Sequence, residues 1–161
     1  MSDLIDHRAN APGANISQTV SRTIAHPTDF SEGSAGAFAH ALRMALDTRS
    51  HLYLLHVRKP GSRDSWASFP HVRALLINWG LMSPNDQTSQ IEGKLGIRVS
   101  KVEIQDRSAM KGLFDYMLSH RPDLIVLSTH GREGLNRWLR GSVSEELARR
   151  SHIPTLLLGP N

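Results

Sequence analysis

A chain of 161 residues, 39% hydrophobic and 21% charged, is long enough for one domain with a buried core and is too apolar to read as a disordered polymer. The absence of cysteine excludes disulfides and thiol catalysis, and no apolar run approaches the roughly 20 residues of a membrane helix. The formal charge is +4 and the pI is near 10.0, but the basic residues are scattered, so a general attraction for anions is expected and a dedicated nucleic-acid surface is not.

Residues 1–20 carry Pro12, Gly13 and little apolar periodicity, and are expected to form a flexible leader before a single domain at 21–161. Asp3 and Asp6 interrupt any secretory signal there, and with the missing cysteines this fits a cytoplasmic location. Thr23 to His26 is a first short strand, stopped by Pro27. The following helix has Ala35, Phe38, Ala39, Leu42, Ala45 and Leu46 at steps of three and four, with Asp29 or Ser31 as its cap. Leu52 to Val57 is apolar nearly throughout, the mark of a central parallel strand. Residues 58–71 read as an irregular connection, and Val72, Leu75, Leu76 and Trp79 as a helix ending near Gly80. Ser83-Pro84 predicts a fresh helix cap, leading to Leu95 and Gly96. Ile97 to Ile104 alternates with a change of phase at Ser100-Lys101, predicting an edge strand with a bulge. Met110, Leu113, Phe114, Met117 and Leu118 mark a helix weakened by Gly112. The last elements are a strand from Leu124, a helix from about Ser142 to Arg150, and a final strand from Pro154 to Leu158.

Strands alternating with helices predict an α/β fold: one open, five-stranded, mostly parallel, Rossmann-like sheet with helices on both faces. Ligands of such sheets bind past the carboxyl ends of the strands, where the winding reverses. Asp29, Val57 and Ser128 to Gly131 all fall at strand ends. The richest stretch is Asp123 to Glu145. Leu124, Ile125, Val126 and Leu127 are a buried strand; Ser128, Thr129, His130 and Gly131 leave the sheet; Ser142 and Glu145 have the spacing of a capping box. Strand, glycine-punctuated loop and helix N-terminus suit an anion, because free N–H groups and the helix dipole point at it. Arg132, Arg137 and Arg140 add positive charge. The histidines form no His-x3-His pair on a helix face and no His-Glu-x-x-His, so a metal site is not expected; a Walker A loop is also absent.

Three phrases resemble the universal stress protein family: Pro-Thr-Asp-Phe-Ser from Pro27 to Ser31, the strand ending His56-Val57, and a loop of the form Gly-x2-Gly-x9-Gly-Ser/Thr. Gly131 and Gly141 stand nine residues apart, Ser142 follows, and Ser128 replaces the first glycine. The resemblance covers roughly residues 21 to 159. It implies an adenine nucleotide alpha hydrolase-like fold that holds ATP or a related adenine nucleotide, with Mg²⁺ bridging phosphate oxygens. Carried over by position, Pro27, Thr28 and Asp29 meet the nucleoside end and Val57 packs on adenine. Ser128, His130, Gly131, Arg132, Arg140, Gly141, Ser142 and Val143 surround the phosphates. No nucleophile stands beside the loop, so recognition comes first, and hydrolysis with His130 or Asp29 as base would be slow. Family members lacking the glycines include ones that hold no ATP, so a nucleotide-free dimeric module is the alternative that Ser128 keeps open. The resemblance also implies a homodimer through the final strand. Ile153 to Asn161 carries no charge to protect such an edge.

Overall fold

Parallel pairing requires each strand to be followed by a crossover, and the order of strands and helices meets that demand. The computed structural model describes residues 22–69, 71–129 and 143–159. The expected leader and the loop from His130 to Ser142 lie outside these residues. The strands are β1 (Thr23–Pro27), β2 (His51–Arg58), β3 (Arg98–Gln105), β4 (Leu124–Ser128) and β5 (Thr155–Leu158). All pairings are parallel and the spatial order is β3-β2-β1-β4-β5. The chain therefore winds one way from β1 to β3, then returns past β1 to build β4 and β5.

Right-handed crossovers running in opposite directions place their helices on opposite faces of the sheet. On one face lie α1 (Glu32–Thr48), α2 (Val72–Asn78) and the short α3 (Ile91–Leu95). Phe38, Leu42, Leu76 and Ile91 pack there against Ile24, Leu52, Leu54 and Val126. The other face carries α4 (Ala109–His120) and α5 (Val143–Arg150), whose Leu113, Met117 and Leu147 meet Ala25, Leu55, Ile125 and Leu127. Neighbouring residues of one strand thus feed two cores, which is why these strands read as continuous apolar runs.

Three local expectations change. No helix starts at Ser83-Pro84. Asp86, buried, accepts from the Ser83 N–H at 2.7 Å and donates its own N–H to the Ser83 carbonyl at 3.0 Å, closing a tight turn. Lys94 bonds the same carboxylate, and Arg73 Nε donates to the Asp86 carbonyl at 2.6 Å. The side chain competes with the helical bonds, so a 3₁₀ turn forms only at Thr88–Gln90, ahead of α3. The bulge in β3 is also absent: pairing runs without a skip from His51–Arg98 to Arg58–Gln105. The phase change reflects two faces, with Val99 in the α1-side core and Val102 and Ile104 in the α4-side core. Ser100 Oγ and His51 Nε2 share a hydrogen bond of 2.8 Å.

Gly112 is the third. Sequence propensity makes it a weak point of α4, but the structure makes it the place where α4 approaches the sheet. A Cβ there would stand 3.1 Å from Ile104 Cγ2, 3.2 Å from Asp106 Cβ and 3.4 Å from Val57 Cγ1. Gly112→Ala should therefore lower stability by about 1–2 kcal/mol through overpacking, against a propensity gain of about 1 kcal/mol. Urea unfolding of the two proteins decides the sign, and a more stable alanine variant would refute the close approach.

Candidate functional site

The sheet opens at the point where β1 parts from β4, and the cause is visible in the backbone. Along β1, Pro27 pairs with Leu55 of β2, and the next residue, Thr28, donates its N–H to the Leu55 carbonyl at 2.8 Å. Polar groups of successive strand residues point to alternate neighbours, so Ala25 and Pro27 face β4. Pairing with β4 ends at Ala25–Ile125. One further step would need an N–H from Pro27 to the Val126 carbonyl, and proline has none. The fully buried His26 ring meets that carbonyl instead, its Nδ1–H donating at 2.9 Å.

One wall of the crevice is the turn from Thr28 to Ser31. Thr28 Oγ1 accepts from the Phe30 N–H at 3.1 Å and from Ser34 Oγ at 2.7 Å, while the Thr28 carbonyl accepts from His56 Nδ1–H at 3.0 Å. Ser31, not Asp29, is the N-cap of α1, accepting from the Ser34 N–H at 3.2 Å. Asp29 works one step earlier: its Oδ1 accepts from the Ser31 N–H at 3.0 Å and the Ser31 hydroxyl at 2.6 Å. Phe30 is held at φ 62, in the left-handed region that a bulky residue avoids. Its ring is clamped by stacking on His56 at 4.0 Å and by edge contacts with Trp66 at 5.2 Å and Phe69 at 5.9 Å. His56 Nε2 lies 3.8 Å from Asp64 Oδ2, and Lys101 sits 5.3 Å above the Trp66 ring. The connection from 58 to 69 is therefore a packed strap that supports the turn.

The opposite wall is the exit of β4. Thr129 donates its N–H and its hydroxyl to the Leu158 carbonyl at 2.8 and 3.1 Å. Ser144 Oγ donates to the Ser128 carbonyl at 3.1 Å, which holds the first turn of α5 against the strand end. Of the residues singled out from sequence, Pro27, Thr28, Asp29 and Ser128 thus flank the opening between β1 and β4, while Val143 begins α5 with its side chain against the α4-side core. Val57 ends β2 half-buried, with its side chain in the α4-side core. His130, Gly131, Arg132, Arg140, Gly141 and Ser142 lie outside the described residues. Sequence reasoning gave His26 and Trp66 no part in shaping the site, and met Phe30 and His56 only as members of the family phrases. The available signal was a histidine in each of two apolar strands, one directly before a proline.

Among the described residues, no group of three or more histidines and carboxylates is placed to hold a metal ion. Beyond Val57, a cavity of about 610 Å³ is lined by Arg58, Lys59, Ser62, Gln105, Asp106 and Arg107 among others. Lys59 and Arg107 make no ion pair among the described residues. These two cations of the cavity lining are therefore not offset by an ion pair among the described residues, which favours a nearby anion. No described helix is long and apolar enough to cross a membrane.

The strand order makes this a doubly wound parallel α/β protein, and the place where β1 parts from β4 is its topological switch point. The profile of the Universal stress protein family matches residues 21–159. The chain belongs to that family. It is 25% identical over 140 residues to universal stress protein MJ0531 of Methanocaldococcus jannaschii, covering 85% of this chain and 81% of the relative. It is likewise 25% identical to MJ0577 of the same organism, covering 85% and 94%. Among solved structures, that of MJ0577 superposes with a TM-score of 0.59 at 23% identity, covering 87% of this chain and 96% of the other. A universal stress protein in complex with cAMP superposes at 0.57 and 20% identity, covering 85% and 96%.

His26 also makes the site sensitive to acid. With Nδ1–H committed to Val126, a second proton would go on Nε2, which is buried without a hydrogen-bond partner among the described residues. Burial pushes the His26 pKa down to about 4, against smaller opposing contributions from Val126, Asp29 and Ser34. In the unfolded chain the ring titrates near the usual value of about 6.5. Between these values the unfolded state binds more protons, so stability is complete above about pH 6.5 and falls as pH drops towards 4. The loss is on the order of 3 kcal/mol. Thermal melts across this window should show the decline, and His26→Asn should flatten it. An unchanged slope in that variant would remove His26 as the cause.

Proposed function

We propose that this chain binds ATP or a related adenine nucleotide in the crevice between the Pro27–Asp29 turn and the β4–α5 connection, and acts in the stress response by recognition rather than fast turnover. The observation that carries the reading is convergence: segments 100 residues apart in sequence, the Pro27–Asp29 turn and the exit of β4, flank the switch point. The cAMP complex of a protein with the same fold supports the choice of an adenine nucleotide.

In this reading Asp29 accepts from the ribose or base through the carboxylate that also braces Ser31, and Val57 lines the base slot with Pro27 and Thr28 beside it. The phosphates lie against Ser128, Gly131, Gly141, Ser142 and Val143, with His130, Arg132 and Arg140 supplying donors. The donor set fits: α5 begins at Val143 and is tied to the end of β4, so its first amides open where phosphate oxygens would arrive. Glu145 and Glu146 in that first turn oppose a bare polyanion, which favours charge partly neutralised by Mg²⁺. That ion would be held by phosphate oxygens rather than a protein cage.

Titration of the purified protein with labelled ATP, with and without Mg²⁺, tests the reading directly. Asp29→Ala should weaken binding about tenfold or more, while Asp29→Asn keeps the acceptor for Ser31 and separates charge from bracing. Gly131→Val or Gly141→Val should remove binding with helix content preserved. Wild-type protein that binds no adenine nucleotide, or all variants binding equally, would overturn it in favour of a nucleotide-free module.

The partner proposed for the sheet edge is a second copy of the chain. Among the described strands β5 pairs only with β4, it carries no charge, and Leu157 is 42% exposed. Such an edge calls for a cover, and an antiparallel copy supplies one through an isologous contact. Leu157→Lys should convert a sedimenting dimer into monomer at micromolar concentration. Wild-type protein that sediments as a monomer there would refute the pairing.

A further inference from the structure

We propose that His26 is the positioning residue of the crevice: its ring N–H stands in for the backbone donor that Pro27 lacks, and so fixes how far the exit of β4 lies from the Pro27–Asp29 turn. The proposal rests on the nucleotide reading for its functional consequence, though the structural substitution it describes stands apart from that reading.

Ile24 pairs with Leu124 and Ala25 with Ile125, so the next rung would set His26 opposite Val126. In a parallel ladder the Val126 carbonyl would receive the N–H of the residue after His26, which is Pro27. On its other side β1 continues through Pro27 and Thr28 against Leu55. The chain direction is therefore correct for one more rung, and only the donor is missing. A carbonyl accepts and cannot donate, so the 2.9 Å contact with His26 Nδ1 requires the proton on that nitrogen. An unpaired carbonyl would otherwise be buried in the sheet, where Val126 is completely shielded.

Position gives this bond its effect. Val126 stands two residues before Ser128, where the expected phosphate loop begins, and His26 stands three before Asp29. Thr129 and Ser144 tie the β4 exit to β5 and α5. His56 and the Leu55 carbonyl tie the turn to β2. Among the β1–β4 contacts of the described residues, the bond from His26 to Val126 is one rung beyond the last backbone pair, Ala25–Ile125. Pro27 lets the walls separate there, and His26 stops the separation from propagating down the sheet. A ring packed near Phe38, at 6.2 Å between centroids, has little freedom to follow if the strands drift.

A double-mutant cycle tests this. Pro27→Ala restores a backbone N–H facing Val126. In wild-type background His26→Leu should lower both the melting temperature, by several degrees, and the affinity for ATP, by about tenfold. In Pro27→Ala background the same replacement should change both far less, because the restored amide takes over the donation. His26→Asn, whose Nδ2 occupies the place of the ring Nδ1, should recover most of the affinity lost in His26→Leu. In the double variant His26→Leu/Pro27→Ala, hydrogen exchange of that restored amide should show protection comparable with the neighbouring rungs. Equal costs in the two backgrounds, or an unprotected amide at that position in a folded protein, overturn the proposal. If wild-type protein binds no ATP the nucleotide reading fails, and the stability arm and the exchange arm still decide the role of His26. If His26→Leu does not fold, solubility restored by Pro27→Ala supports it, and failure of both overturns it.

Discussion

A strand can be paired on both sides only while each residue supplies the donor its neighbour expects, and β1 stops doing so at Pro27. The rest of the carboxyl edge follows from that constraint. Because β1 is central, one absent N–H frees the Thr28–Ser31 turn from β4 while leaving it bound to β2. The crevice lies where the winding reverses because only there do two neighbouring strands send their chains in different directions. Proline makes the separation abrupt, and a histidine one residue earlier limits it.

The turn so released is strained rather than loose. A phenylalanine at φ 62 costs energy, of order 1–3 kcal/mol for backbone conformations of this kind, and must be held by something. The holding contacts are aromatic and come from far along the chain: His56 from β2, Trp66 and Phe69 from the strap. The strap in turn is secured by Phe69 reaching Phe38 of α1 at 4.7 Å. Thr28 has its carbonyl, amide and hydroxyl all bonded, so the residue before Asp29 is fixed in every direction. The Asp29 carboxylate is therefore presented from a rigid base, which suits the recognition role proposed for it.

Much of this was legible in the residues. Period and alternation mark the five strands and the main helices, since strands shielded on both faces must be apolar throughout and helices on a sheet must be striped. Asp29, Ser128 and Val143 were legible as strand or helix ends. What escaped was set by contacts between distant segments. Nothing in Ser83-Pro84 reveals that Asp86 will be captured by Lys94 and turn back on Ser83. Nothing in Gly112 reveals that Ile104 and Asp106 press on it from β3 and the turn after it. The partnership of His26 with Val126 needed the register of β1 on β4, which no local pattern states.

The two edges of the sheet pose one physical problem and meet it differently. β3 shows Arg98, Lys101 and Glu103 along an exposed margin, each with a partner: Glu92 at 2.6 Å, the Trp66 ring, and Arg58 at 3.2 Å. Those charges make strand addition costly, because an incoming strand would have to strip or bury them. β5 has no charge to strip, and its exposed residue is a leucine. If both edges were equally solvent-facing in the working protein, the same selection against edge-to-edge association would act on both. The asymmetry is what the proposed pairing calls for, one margin guarded by charge and the other left bare. This is why the proposed second copy belongs along β5, on the far side of β4 from the crevice. There it would bear on the wall that Thr129 and Leu158 hold in common, where the Thr129 N–H and hydroxyl both meet the Leu158 carbonyl.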